Sequence, residues 1–369
     1  MQTYFTLIFG AYFIFLILIL IGWYKVSQGE SLPSTSRLVS VIIPFRNEAL
    51  NLPALIQSLA QQRITTNPFE IILVDDHSTD HSTQVLELQQ VLHPQLSIQV
   101  ITSRSTGKKE ALTTGILQAR GEIILTTDAD CVVSPDWINS MTSSFDSTTK
   151  MVVGVVQLSA VRFFDKLQAV EFLSVMISGL AMLGWHLPMM CNGASLGFLR
   201  DAFLHVKGYE GNVQIPSGDD EFLMRKMESS FPGSVRVVQN LEAGVTTKPA
   251  GTLREFIHQR LRWAGKWRAH ESRITQLTAV LIWIVQLSWL GLPILFFVSD
   301  PLLPTSIMLT KLVLEAWLIG RIARKLRQPF YGLAFLGLQV IYPMYVIYIG
   351  LASQFVSYQW KDRVVPAMR

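Results

Sequence analysis

"ILTTDADC", residues 124–131, is a β-branched apolar run that breaks into two acids separated by one alanine, Asp128-Ala129-Asp130. A buried strand that ends in carboxylates needs a reason for them. Side chains alternate along a strand, so residues two apart point the same way, and Asp128 and Asp130 are expected to present both carboxylates to one point beyond the strand. Left unneutralised, the pair repel each other and raise each other's pKa. A hard divalent cation such as Mg²⁺ or Mn²⁺ suits such oxygen ligands. The same residues also read as a helix N-cap or Asx turn, because Ser134-Pro135-Asp136 follows. D-x-D alone does not decide between the two.

Working outward, "LVSVIIPFRNE" (38–48) is an apolar strand that runs into Pro44 and a polar turn, and 49–62 carries the helical period. "FEIILVDDHSTDHS" (69–82) is another buried strand ending in acids, Asp75 and Asp76. A third strand is expected over 97–103, a helix over 108–120, and a fourth strand in "GEIILTTDAD". Alternating helices and continuously apolar strands predict an α/β fold with a mostly parallel, doubly wound sheet, Rossmann-like in kind. Ligands bind beyond the carboxyl ends of such strands. Asn47-Glu48, Asp75-Asp76 and Asp128-Asp130 all fall at those ends, and that convergence favours a site over three unrelated turns.

The chain has 369 residues, half of them apolar, with a net charge of +4. Residues 4–23 carry no charge and are long enough to cross a bilayer. No basic n-region precedes them and no small-x-small cleavage site follows, which predicts an anchor over 1–28 rather than a removed signal peptide. "GESLPSTS" (29–36) reads as a linker, 37–270 as one soluble domain, and 274–358 as a set of C-terminal transmembrane helices. Three spans are expected there, at 277–298, 306–320 and 332–356, with Pro343 a kink in the last. The middle one is interrupted by Lys311 and Glu315, one turn apart, which predicts a pair with Lys311 snorkelling toward an interface. "FLSVMISGLAMLGW" (172–185) is short for a span and reads as a helix dipping into a leaflet.

Basic residues flank the spans at Lys25 and Arg37, from Arg254 to Arg273, and from Arg321 to Arg327, which puts the large domain in the cytoplasm if the chain crosses four times. Lys361 and Arg363 run mildly against that rule. Cys131 and Cys191 are then expected to be reduced packing residues. The modest charge gives no reason to invoke nucleic acid.

Six motifs appear in the order seen in family-2 glycosyltransferases of the GT-A fold: "SVIIPFRNE", "ILVDDHSTD", "GKKEALTTGI", "ILTTDADC", "SGDDEFLMRK" (217–226) and "QRLRW" (259–263). The resemblance covers roughly residues 37–270 and extends to the membrane-bound cellulose, chitin and hyaluronan synthases and ceramide glucosyltransferases. It implies a nucleotide-sugar donor, by family default a UDP-sugar, a Mg²⁺ or Mn²⁺ cofactor, and a lipid or glycan acceptor at the bilayer.

On the donor side it implies that Pro44, Asn47 and Glu48 line the nucleoside and that Asp76, or Asp75, contacts the base. Lys108 matches a lysine near the phosphates, and Asp130 with Asp128 holds the metal. Gln259, Arg262 and Trp263 form the Q-x-x-R-W face, with Arg262 on phosphate and Trp263 beside sugar or acceptor. Asp220 matches the base that deprotonates the acceptor, with Asp219, Gly193 and Ala194 beside it. Direct displacement by the acceptor then inverts the anomeric centre.

Departures from the family pattern are Asp219 in place of Glu, Ser195 and Thr113 in place of Asn, and "TTKP" (246–249) without an acid. Without the motifs, Asp219-Asp220-Glu221 reads as an acidic first helical turn, and "HQRLRWAGKW" as a basic helix on lipid that Trp267 and Arg268 would fit. A processive polysaccharide synthase and a non-catalytic scaffold are the competing functions. Four spans are few for a polymer channel, and a scaffold has no use for both Asp130 and Asp220.

Overall fold

A computed structural model describes residues 1–26, 37–63, 67–213, 215, 217–238, 244–266 and 272–356, and the backbone of 358–360 and 363–365. The linker at 29–36, Trp267, Arg268, Lys361 and the Arg363 side chain lie outside the described residues. Contacts divide the chain into two compact units, one of residues 24–159 and 182–248, the other of 1–23, 160–181 and 249–369.

The first helix, α1 (Gln2–Val26), opens the chain. The first of the units holds the sheet. Strands β1 (Val39–Phe45), β2 (Phe69–Asp75), β3 (Ile98–Thr102) and β4 (Ile123–Thr126) lie parallel, joined by α2 (Leu52–Ala60), α3 (Ser82–Leu92) and α4 (Lys108–Gln118). β5 (Val132–Val133), α5 (Trp137–Thr142), β6 (Met151–Val153) and β7 (Val156–Leu158) follow. After α6 (Phe163–Leu183), which belongs almost wholly to the other unit, come β8 (Leu196–Leu199), α7 (Arg200–His205), α8 (Asp219–Ser230), β9 (Val235–Val237) and β10 (Val245–Thr247). The main sheet runs β3-β2-β1-β4-β8-β6-β9, with β8 antiparallel to both neighbours, and a small sheet runs β5-β10-β7. The mostly parallel sheet is therefore as the apolar runs predict.

β1 is buried along its whole length, so a proline in it needs explaining. Phe45 bonds on the β2 side, where its carbonyl accepts from the Asp76 N–H. The neighbouring Pro44 therefore faces β4, whose ladder has already ended at the Ile42–Thr126 pair. A missing N–H costs nothing there.

In the other unit, four helices have the length and apolar composition to cross a bilayer and lie at the chain's two ends: α1, α10 (Arg273–Gly291) continuing through α11 (Leu295–Val298), α12 (Leu302–Lys325) and α13 (Gly332–Ala352). Pro343 sits inside α13 as expected. The basic helix α9 (Leu253–Ala264), numbered ahead of these, groups with them.

A fifth helix, α6, also has the length and hydropathy to cross. It starts nine residues before the apolar stretch that the sequence singles out, so the objection of shortness does not hold. Connectivity decides the matter instead. The strand before it, β7, and the strand after it, β8, belong to the same compact unit. A crossing would oblige the chain to return through lipid in the non-helical segment before β8, with its backbone unsatisfied. α6 does not cross. Met176 and Leu180 on it are buried in the protein, so the face they share is not offered to lipid.

Lys311 and Glu315 pair at 2.9 Å, as their spacing predicts, but Lys311 does not snorkel. It is 3% exposed and also donates to Gln339 Oε1 on α13, at 2.7 Å. Gln339 and Tyr12 of α1 donate to Glu315, Trp289 of α10 donates to the Gln339 carbonyl, and the Trp289 ring lies 4.5 Å from the ammonium. A closed polar network is cheaper than a long reach to water when each polar atom has a partner. Glu315→Ala should lower stability in detergent by about 3 kcal/mol by stranding Lys311, and Lys311→Met with Glu315→Met should recover most of it. Thermal unfolding of the two variants checks this.

Candidate active site

The carboxyl ends of β1, β2 and β4 face the amino ends of α4 and α8. Leu196 of β8 pairs with Thr126, the last residue of β4, so the 3-10 turn Gly193–Ser195 before β8 lies at that same end. The Thr126 hydroxyl donates to the Gly193 carbonyl at 3.1 Å and ties the turn to the strand.

β4 stops at Thr126, and Asp128 opens a turn whose carbonyl accepts from the Cys131 N–H at 3.1 Å. The strand alternation expected to aim Asp128 and Asp130 together therefore does not reach them. Lys108, the first residue of α4, places Nζ 2.7 Å from Asp128 Oδ1 and 3.2 Å from Asp219 Oδ2. Asp219 and Asp220 open α8. Asp220 accepts from the Gly193 N–H at 2.9 Å through one oxygen and from the Glu221 N–H at 2.7 Å through the other. Lys108, Asp128, Asp219, Asp220 and Gly193, drawn from four segments, form one cluster.

Burial works against the Lys108 charge, yet Asp128 and Asp219 beside it hold the ammonium well above the usual lysine range. Burial likewise opposes the Asp219 charge, and Lys108 outweighs it, holding the carboxyl below its ordinary value. Burial, reinforced by Asp128 and Asp130, pushes the Cys131 thiol well up, which leaves it an unreactive packing group. Neither cysteine is in a disulfide.

Oxygen donors from Asp128 and Asp130 suit a hard divalent ion, and the Lys108 ammonium already standing on Asp128 marks where positive charge is wanted. Among the described residues no group of three or more His, Cys, Asp or Glu side chains is arranged to hold a metal. Two carboxylates with substrate phosphates completing the shell is the ordinary arrangement for Mg²⁺.

Among the residues expected on the donor side, Asn47 takes a positive φ, which asparagine tolerates, and its Oδ1 accepts from Thr79 N–H. Glu48 is buried and accepts from Asn51 Nδ2 at 2.6 Å. Asp75 caps the Ser78 N–H, the turn role that "HSTD" suggests. Asp76 is buried, and its Oδ1 accepts from Gly107 N–H at 2.7 Å. Gly107 has φ +126, a conformation that favours glycine, and it delivers the chain directly into Lys108. Asp76 thus fixes the start of the helix that carries the lysine.

Ser195, which the family pattern sets among acceptor-side residues, is fully buried and accepts from the Trp137 indole. Thr113 bonds back to the Lys109 carbonyl. Lys248 of "TTKP" reaches Asn51 Oδ1 at 2.7 Å.

Gln259, Arg262 and Trp263 lie on α9, in the other unit. The Trp263 ring there packs against Phe172 and lies 4.2 Å from the Arg260 guanidinium. Arg260, which the sequence places among the basic residues flanking the second span, is 4% exposed, ion-paired to Glu171 of α6, and flanked by Phe256. The Tyr345 hydroxyl of α13 also donates to Glu171. One signal was legible: Glu171 is an acid in an apolar helix and requires a buried cation.

A model described as glycosyl transferase family group 2 matches residues 123–351, more than half of the chain, and one described as glycosyl transferase family 2 matches 40–204. The chain belongs to glycosyl transferase family group 2. Among curated relatives of this glycosyltransferase are undecaprenyl-phosphate 4-deoxy-4-formamido-L-arabinose transferases. That of Yersinia enterocolitica is 38% identical over 28% of this chain, and that of Serratia proteamaculans 33% identical over 38%. The match spans 32% and 43% of those relatives' own length. Among solved structures, the mannosyltransferase PcManGT from Pyrobaculum calidifontis, in complex with GDP-Man and Mn²⁺, superposes with a TM-score of 0.58 at 18% identity. It covers 95% of this chain and 98% of that one, a likeness of fold.

A methyl group added at Gly193 would lie 3.1 Å from Asp219 Oδ2 and 3.5 Å from both Asp220 Cβ and Lys108 Nζ. Gly193→Ala should therefore cost about 10²-fold in kcat with little change in thermal stability, measured as nucleotide release beside an unfolding curve.

Proposed function

We propose that this glycosyltransferase moves one sugar from a nucleotide-sugar, with UDP as the family default, to the hydroxyl of a lipid or membrane-associated glycan, with inversion. The observation that carries the reading is the cluster that sets Asp220 beside Gly193 and the Lys108–Asp128–Asp219 ion pairs. Asp128 and Asp130 would hold Mg²⁺ or Mn²⁺ against the donor's diphosphate, and the ion would supply Lewis-acid stabilisation of that leaving group. Lys108 sits against the same phosphates. Pro44, Asn47, Glu48 and Asp76 or Asp75 border the nucleoside.

The Gly193 N–H and the amide of Glu221 hold the Asp220 carboxylate in place. As the acceptor oxygen forms its bond to C1, Asp220 takes the hydroxyl proton while the C1–O bond to the diphosphate breaks and that electron pair leaves with the nucleotide. Basic residues around the spans support a cytoplasmic catalytic unit.

A second reading is favoured by the undecaprenyl-phosphate relatives, in which a lipid phosphate is the acceptor. A phosphate oxygen is already ionised near neutral pH and needs no base, so the two readings part at Asp220. Asp220→Asn should lower turnover by about 10²–10⁴-fold if the acceptor atom is a hydroxyl, and by far less if it is a phosphate. The experiment is nucleoside diphosphate release from a panel of UDP- and GDP-sugars, in native-lipid membranes, with and without chelator. No release from any donor, by wild type and variant alike, would return weight to the scaffold.

A further inference from the structure

We propose that the Lys108 ammonium is the resident cation of the donor site: it occupies the Asp128 oxygen while the site is empty, and it is exchanged for the divalent ion when the nucleotide-sugar enters, with Asp219 holding the displaced lysine. This rests on the metal-dependent reading above and goes further by giving Lys108 and Asp219 paired, opposed duties.

The geometry carries it. Lys108 Nζ stands 2.7 Å from Asp128 Oδ1, within direct hydrogen-bond distance of an oxygen that a metal ion would need. An ammonium and a divalent cation on one carboxylate oxygen repel each other, so the two states exclude one another. The lysine is not stranded when it leaves Asp128, because Asp219 Oδ2 is already at 3.2 Å and about an eighth exposed. Asp219 is one residue from Asp220 on α8, so the lysine stays at the mouth of the site, where the donor's phosphates are expected. Its neighbour Lys109 differs: it is 6% exposed, and its ammonium is bound to the carbonyls of Asn212 and Ile215 at 2.7 and 2.9 Å. Of the two lysines, Lys108 is the one placed to exchange partners.

The arrangement has two physical consequences. A site that keeps its carboxylates neutralised by a tethered lysine avoids the repulsion that would otherwise destabilise the empty enzyme. It also binds free metal weakly and gains metal mainly together with the diphosphate, which brings charge for both cations.

The test uses the full chain in lipid nanodiscs without nucleotide. Mn²⁺ binding, read from the EPR signal of the free ion, should tighten at least about tenfold in Lys108→Met and stay near the wild-type value in Lys108→Arg. The wild-type protein provides a second readout that needs no variant: pulse acetylation followed by mass spectrometry. Mn²⁺ should raise modification of Lys108 several-fold and leave Lys109 unchanged. Unaltered Mn²⁺ affinity in Lys108→Met, or Lys108 acetylation indifferent to Mn²⁺ that binds, overturns the exchange while leaving the glycosyltransferase standing. Turnover of a donor without any metal, and with no Mn²⁺ bound by either protein, overturns both the exchange and the metal dependence on which it rests.

Discussion

Carboxylates crowded at one end of a sheet need a cation, and that electrostatic demand organises this protein's catalytic unit. Asp128 follows β4, Asp219 and Asp220 open α8, and Lys108 opens α4 with its ammonium between the first two. The devices that hold the lysine there are backbone devices. Gly107 supplies a φ that other residues rarely adopt, Asp76 caps that turn, and Gly193 keeps the space clear on the far side. A parallel sheet places its ligand at the carboxyl ends of its strands because the strand-to-helix turns converge there. In this chain those turns carry Glu48, Asp76, Asp128 and Asp130.

The same problem, buried charge, is solved twice more in the helical unit by other means. Lys311 and Glu315 close a network with Tyr12, Gln339 and Trp289 that touches all four bilayer-length helices at the chain ends. Arg260 and Glu171 join α9 to α6, with aromatic rings at the guanidinium and Tyr345 donating from α13. Away from water a charge is tolerated only with its partners in place. These networks therefore link specific helices to one another. Within "QRLRW", Arg260 is consumed by structure, with the Trp263 ring against its guanidinium.

Much of this was legible beforehand. Continuous β-branched runs ending in acids specify a parallel sheet with its site at the strand ends, and six ordered motifs specify the family. Apolar runs of span length appear where composition puts them. The structure departs from the sequence where a local rule runs past its element. Alternation along β4 does not extend to Asp128 and Asp130, because the strand ends at Thr126. Lys311 does not take the outward reach usual for lysine near a helix end, because its turn-mate Glu315 and Gln339, distant in sequence, satisfy it inside.

The sequence by itself determined the class of fold, the family and the set of ionisable residues available for chemistry, because periodicity, apolar length and motif order are properties of neighbours along the chain. Only the tertiary structure decided which of those charges meet. Lys108 pairs with Asp219 across more than a hundred residues, and Glu171 finds Arg260 at a separation of 89. The folding of β7 and β8 into one compact unit decided that α6, apolar and long enough to cross, must stay on one side. Pairing across such distances is set by packing and by the cost of leaving a charge or a backbone amide unsatisfied, and neither can be read from a window of local sequence.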